Sequence, residues 1–168
     1  MKLYYEAVDA DLNSTALHEA AYGLLRRALE KDWGYPEAKT EKNGAGKPFL
    51  PERPDLHISV SHTRGLVCCA VSEKPVGVDC EACREVSLRA AERVCTKGEL
   101  EYLWAGKAPC ARFLTLWTLK ESISKLRGVG LRESFKQYEI TFEDGNPVCE
   151  GYTLHTQCVD GFFISAAE

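Results

Sequence analysis

The chain predicts an α+β fold built as two similar halves, residues 1–74 and 75–168. Three observations lead there. Strand-like runs and helical periods follow one another along all 168 residues instead of gathering at one end. Each half runs strand, helical segment, strands, although the two halves share little residue by residue. A chain of this length holds one ordinary domain, or two small halves sharing a core.

Lys2 to Val8 has strand composition, with LYYEAV as its apolar-rich stretch. Asn13 and Ser14 offer N-caps to a helix carrying Leu17, Ala20, Ala21, Leu24 and Ala28 on one face. That helix should end near Asp32, since Gly34 and Pro36 follow. From Lys39 to Pro54, KTEKNGAGKPFLPERP reads as loop around a short strand at Phe49. LHISVSHTRGLVCCAVS is two strand-like runs joined at His62-Thr63-Arg64-Gly65, a β-hairpin. The second half opens with the strand KPVGVDCEA, entered through Pro75. Ser87 starts a helix through Leu88, Ala91 and Val94, expected to stop at Lys97-Gly98. Thr96-Lys97-Gly98-Glu99 has capping-box spacing and starts the next helix, with Leu100, Leu103 and Trp104 on its inner side. After Pro109 a longer helix is expected from Cys110 to Arg127, closed by Gly128. The remainder returns to strands: YEITFED, a turn at Asp144-Gly145-Asn146-Pro147, and VCEGYTLHTQCVDGFFISAAE.

Composition narrows the function. Apolar residues are 45% and charged residues 27%, the balance of a soluble globular protein. A net charge of −4 with no long run of like charge argues against a nucleic-acid binder acting through a basic surface. No apolar stretch is long enough to cross a bilayer, and MKLYYEAVDADL lacks a signal-peptide core, so a cytoplasmic protein is expected. The eight cysteines include one close pair, Cys80 and Cys83, and no second pair completes a zinc set. Without an export signal a disulfide framework is not expected, and cysteines in runs such as LVCCAV read as small hydrophobes. Zinc or redox chemistry at Cys80 and Cys83 is the alternative for that pair.

Three places carry more than a scaffold needs. In the strand VGVDCE, alternation puts Asp79 and Glu81 on one face and Val78 and Cys80 on the other. Two neighbouring carboxylates belong either to a strand edge fraying into solvent or to a hard-cation site such as Mg²⁺. In FLTLWTLKESISKLRG, apolar residues cover most of the helix, yet Lys120, Glu121 and Lys125 sit in its middle. Glu121 and Lys125 stand at i, i+4, one turn beyond Trp117, either as an ion pair or as part of an active site. The third place is basic and glycine-rich: Gly44-Ala45-Gly46-Lys47-Pro48, then Ser61-His62-Thr63-Arg64-Gly65. Glycines let backbone N–H groups approach phosphate oxygens, and Lys47, His62 and Arg64 supply positive charge. The spacing is not that of a Walker A loop. As a set, these residues point to metal-assisted attack at a phosphate ester or pyrophosphate.

VGVDCE followed by WTLKESISK resembles the paired signature of the 4′-phosphopantetheinyl transferases, (I/V)-G-(I/V)-D-x-E and (F/W)-x-x-K-E-(A/S)-x-x-K. GKP and VSHT stand upstream in the order of the surfactin-synthetase-activating (Sfp-type) branch, so the resemblance runs from Gly46 to about Gly130. It implies a pseudo-twofold α+β fold with coenzyme A in the cleft between the halves. It also implies transfer of phosphopantetheine from coenzyme A to a serine of an acyl or peptidyl carrier protein. Asp79, Glu81 and Glu121 then resemble the Mg²⁺ ligands, and Lys125 the lysine at the coenzyme A phosphates. Gly46, Lys47, Pro48, Ser61, His62, Thr63 and Arg64 fall where the family binds the nucleotide and its 3′-phosphate. The base that takes the serine proton is Glu121, directly or through a metal-bound water, or Glu99, and Glu99 has the capping box as its other explanation.

In one respect the chain departs from the family pattern. Only Asp9 to Asn13 separates the first strand from its helix, where the family carries a longer basic stretch. His18, Arg26 and Arg27 are the residues available in its place. Carrier proteins are acidic, and Arg84, Arg89, Arg93, Lys107 and Arg112 could form a docking patch. With both halves in one chain a monomer is expected. A non-catalytic coenzyme A or carrier-protein binding module of the same fold is the competing function.

Overall fold

Asn13 begins the first helix as the sequence predicts: its side chain accepts a hydrogen bond from the Ala16 amide at 3.0 Å. The computed structural model describes residues 1–129 and 133–168, so Gly130 lies outside the described residues. Strand β1 (Lys2–Ala7) leads to helix α1 (Ser14–Trp33), which Gly34 closes in the left-handed conformation at φ 63°. A small hairpin of β2 (Glu41–Lys42) and β3 (Pro48–Phe49) follows, then the long hairpin of β4 (His57–Thr63) and β5 (Leu66–Ser72). Strand β6 (Gly77–Ala82) opens the second part. Helices α2 (Leu88–Val94), α3 (Lys97–Trp104) and α4 (Pro109–Arg127) come next, followed by a 3₁₀ turn at Phe135–Gln137. A short hairpin, β7 (Thr141–Glu143) with β8 (Asn146–Val148), precedes the closing pair β9 (Leu154–Val159) and β10 (Phe162–Ala167).

The same topology occurs twice. Strand, helix, then a hairpin whose second strand inserts against the first gives the antiparallel sheet β1-β5-β4, and again the sheet β6-β10-β9. Helix α1 packs Leu17, Ala21, Leu24, Leu25, Ala28 and Leu29 on the first sheet, and α4 packs Leu116, Leu119 and Ile123 on the second. The inner faces of the two sheets meet in a third core. All seven residues of β5 are buried, because Val67, Cys69 and Val71 face α1 while Leu66, Cys68 and Ala70 face Val78, Cys80, Ile164 and Ala166. Small Cys and Ala side chains let these sheets approach closely. The buried cysteines are thus packing residues, and all eight are free thiols.

Alternation along β4 builds the seam with β6. The Ser59 hydroxyl accepts from the Val78 amide at 3.0 Å, Ser61 donates to Asp79 at 2.8 Å, and Thr63 accepts from the Ala82 amide at 3.3 Å. Hydroxyls, not a backbone ladder, join the two sheets there.

Local corrections have simple causes. Helix α2 ends at Val94, short of Lys97-Gly98, because Cys95 is extended and Thr96 already caps α3. Pro109 is the first residue of α4, where its missing N–H costs nothing. Trp104 is 49% exposed, not inward, since it ends α3 beyond the turn that Leu103 buries. Among the described residues no helix is long and apolar enough to cross a membrane.

Candidate active site

Gly77 decides how the site is built. A side chain at that position would run into the Ser122 carbonyl and come within 2.5 Å of the Leu126 amide nitrogen. Helix α4 therefore lies backbone to backbone against β6, which only glycine permits. On that face of β6, Gly77 is followed by Asp79 and Glu81; on α4, Trp117, Glu121 and Lys125 rise at every fourth residue. The two rows run against each other and line a cleft of about 490 Å³. From the first half come Gly46, Lys47, Pro48, Ser61 and His62, together with His18 and Tyr22 of α1.

Asp79 is 7% exposed and paired within the sheet opposite Ser165, so β6 is no fraying edge. Lys125 donates to Asp79 Oδ1 and to Ser61 Oγ, each at 2.8 Å. Of the two readings of the Glu121–Lys125 spacing, the i, i+4 ion pair gives way to this cross-element one. Burial opposes the charged form of Lys125, but the Asp79 carboxylate outweighs it and holds the pKa above the ordinary lysine value. Trp117 donates its indole N–H to Glu81 Oε1 at 3.1 Å, and Arg84 stands 3.7 Å from the other oxygen. Burial, then the nearby Asp79, lifts the Glu121 pKa to about 7; Lys125 offsets part of this and Glu81 adds to it. His62 is pushed down by burial, then by His18, whose ring lies edge-on at 6.3 Å, and by Lys125.

A divalent cation such as Mg²⁺ requires hard oxygen donors, and the facing rows supply three carboxylates, Asp79, Glu81 and Glu121. Among the described residues no three carboxylate, imidazole or thiolate groups already close round one point. Mg²⁺ needs only one or two carboxylates beside water and substrate phosphates, so the donor set fits in type.

Several residues singled out in the sequence lie elsewhere. Arg64 turns away to the Ala10 carbonyl and Asp11, and Thr63 belongs to the sheet seam; neither lines the cleft. Glu99 is 2% exposed in the core of the second half. Its carboxylate accepts from the Thr96 and Ile140 amides at 2.7 and 2.8 Å and pairs with Lys120 at 2.7 Å. Lys120 also donates to the Phe135 and Tyr138 carbonyls at 2.9 and 2.7 Å. This is a saturated structural pair, which corrects the reading of Glu99 as a base. Breaking one side strands the other charge in the core, so Lys120→Met is expected to cost about 3–5 kcal/mol in urea unfolding. Pairing it with Glu99→Leu should recover much of that loss.

The sequence alone does not reveal Trp117 as the donor to Glu81, or Tyr22 as part of the cleft wall. Trp117 stands one helical turn before Glu121, which was the available cue.

The chain is similar to known proteins. The family model of the 4′-phosphopantetheinyl transferase superfamily matches residues 75–164, which span β6, α4 and β9. The chain belongs to that superfamily. It is 34% identical over 116 residues to the 4′-phosphopantetheinyl transferase Sfp of Bacillus subtilis, covering 67% of this chain and 52% of that one. It is 39% identical over 114 residues to the 4′-phosphopantetheinyl transferase gsp of Aneurinibacillus migulanus, covering 64% and 46%. The chain thus spans about half the length of the curated relatives it matches. The fold is shared with the holo-[acyl-carrier-protein] synthase (AcpS) of Thermotoga maritima at TM-score 0.51 and 23% identity, over 55% of this chain and 61% of that one.

The cysteines are peripheral to this chemistry. Cys80 points into the inter-sheet core and Cys83 is exposed. Cys83→Ser should leave melting and activity unchanged. Cys80→Ser should cost about 1–3 kcal/mol of stability by burying a hydroxyl, while keeping substantial activity. Calorimetry and the assay below check both.

Proposed function

We propose that this chain transfers 4′-phosphopantetheine from coenzyme A to a serine hydroxyl of an acyl or peptidyl carrier protein, releasing adenosine 3′,5′-bisphosphate. What carries the reading is the cleft in which β6 and α4 of a superfamily member bring Asp79, Glu81, Glu121 and Lys125 together. A plain binding module has no use for three crowded carboxylates, one of them lifted to about 7.

The serine oxygen attacks the pantetheine-side phosphorus of the pyrophosphate, the bond to the bisphosphate oxygen breaks, and the serine proton goes to a base. Such transfers need positioning and charge neutralisation more than covalent help. Asp79, Glu81 and Glu121 would hold Mg²⁺, which when bound supplies charge neutralisation for the pyrophosphate and the departing nucleotide. Lys125, held by Asp79 and Ser61, presents an ammonium to the phosphates. Of the two candidate bases only Glu121 faces the cleft, whereas both Glu99 oxygens are bonded in the core of the second half. Gly46, Pro48, Ser61 and His62 line the nucleotide end, with His18 beside them.

Arg84, Arg89, Arg93 and Lys107 are exposed and form the docking charge for an acidic carrier. Arg112 leaves that set, because it is half-buried over the Tyr102 ring and bonded to the Tyr102 carbonyl. One chain supplies both acidic rows, consistent with a monomer, and eight free thiols suit a reducing cytoplasm. The test is incubation with an apo carrier protein, coenzyme A and Mg²⁺. A gain of one phosphopantetheine in the carrier's mass is expected; an unchanged carrier across several carrier types would overturn the reading.

A further inference from the structure

Lys47 does not present its ammonium to the cleft as a free cation would. Its loop is wound tightly: Asn43 Oδ1 accepts from the Ala45 and Lys47 amides at 3.0 Å, and Gly46 turns at φ 84°. From the base of that turn the side chain reaches across to the second half. Nζ donates to the Leu126 carbonyl at 2.6 Å and to the Val76 carbonyl at 3.2 Å. Leu126 lies in the last turn of α4, where carbonyls lack intrahelical partners and the helix dipole favours a cation. Val76 immediately precedes Gly77, the point at which β6 and α4 touch backbone to backbone. Gly128, the left-handed cap of α4, has no Cβ, and one there would meet Lys47 Cδ at 3.4 Å. The lysine stem thus lies along the helix end. Burial lowers the pKa of this ammonium, as expected for a charge withdrawn from water.

We propose that Lys47 is a positioning residue whose ammonium clamps the start of β6 to the end of α4. In doing so it fixes the spacing of Asp79 and Glu81 against Glu121 and Lys125. This inference rests on the reading of those four residues as the reacting site, and it assigns Lys47 a task other than the nucleotide contact implied by resemblance. The loop of the first half then acts on the chemistry through the geometry of the second. A misplacement of about 1 Å between reacting groups can cost a hundredfold in rate.

The experiment compares wild type with Lys47→Met, which keeps the stem and removes the donors. Hydrogen exchange is read at the Gly128 and Val129 amides, which close α4 onto Ser124 and Lys125, without coenzyme or metal. A clamp predicts exchange faster by roughly tenfold there. It also predicts kcat lowered by roughly tenfold or more, with KM for coenzyme A within about twofold. A phosphate contact predicts unchanged exchange and a raised KM at unaltered kcat, and that result would overturn the clamp. If Lys47→Met does not fold, Lys47→Arg carries the kinetic arm: a lowered kcat at unchanged KM supports the clamp, and a raised KM alone overturns it. If wild type transfers nothing, the proposed function fails while the exchange arm still decides the clamp, since it needs neither substrate.

Discussion

Glu121→Gln should lower the rate of carrier-protein modification by orders of magnitude while leaving the metal-free protein as stable as wild type, or more so. Glutamine keeps the shape and removes the charge, so the packing of α4 is untouched while the anionic set of the cleft loses a member. The stability half of this result depends on pH, with a defined sign. Burial and Asp79 raise the Glu121 pKa from 4.5 to about 7 in the folded protein. Between those values the folded state binds more protons than the unfolded one, so stability falls as pH rises through the window and levels off above it. Glutamine has no such dependence. The melting temperature of Glu121→Gln relative to wild type, measured in chelator, should therefore climb from pH 4.5 to 7 and then stay constant. A surface ion pair predicts the reverse: a loss of about 0.5 kcal/mol and unchanged chemistry.

Gly77→Ala is expected to be the most damaging single methyl group in the chain. The added carbon meets the Ser122 carbonyl and the Leu126 amide, both backbone atoms of α4, so no rotamer change can make room. Overpacking in a core typically costs 1–3 kcal/mol; here the helix itself must move, and a loss of about 3 kcal/mol or more is expected. Moving α4 also separates Glu121 and Lys125 from Asp79, so activity should fall further than stability explains. Chemical denaturation gives the first quantity, and carrier modification well below the melting point gives the second. A variant that melts like wild type would show that β6 and α4 are not in backbone contact.

Periodicity and punctuation carried most of the fold. Asn13, Gly34, the Thr96 box, Pro109 and Gly128 mark helix ends by local chemistry, and local chemistry can be read without a partner. Strand alternation likewise placed Asp79 and Glu81 on one face and Cys80 on the other. What could not be read was which long side chain reaches which distant group. Lys125 stands four residues from Glu121, yet its ammonium goes to Asp79 on another element, because the close approach at Gly77 brings that carboxylate nearer. Glu99 had two sequence explanations, and Lys120 decides between them from within the core. Arg64 and Lys47 are cations in glycine-rich turns, but the tertiary fold sends one to Asp11 and the other to two carbonyls. Local sequence sets the conformation, and the partners of flexible charges are set by packing.

In the proposed reaction the facing rows of β6 and α4 hold a divalent cation against the pyrophosphate of coenzyme A. Calorimetric titration of coenzyme A into wild type and Asp79→Asn, each with Mg²⁺ and with chelator, tests it most directly. Wild type should bind markedly more tightly with Mg²⁺ than with chelator, and Asp79→Asn should lose most of that difference. Equal wild-type affinity in the two conditions, or a full Mg²⁺ effect in Asp79→Asn, would contradict it.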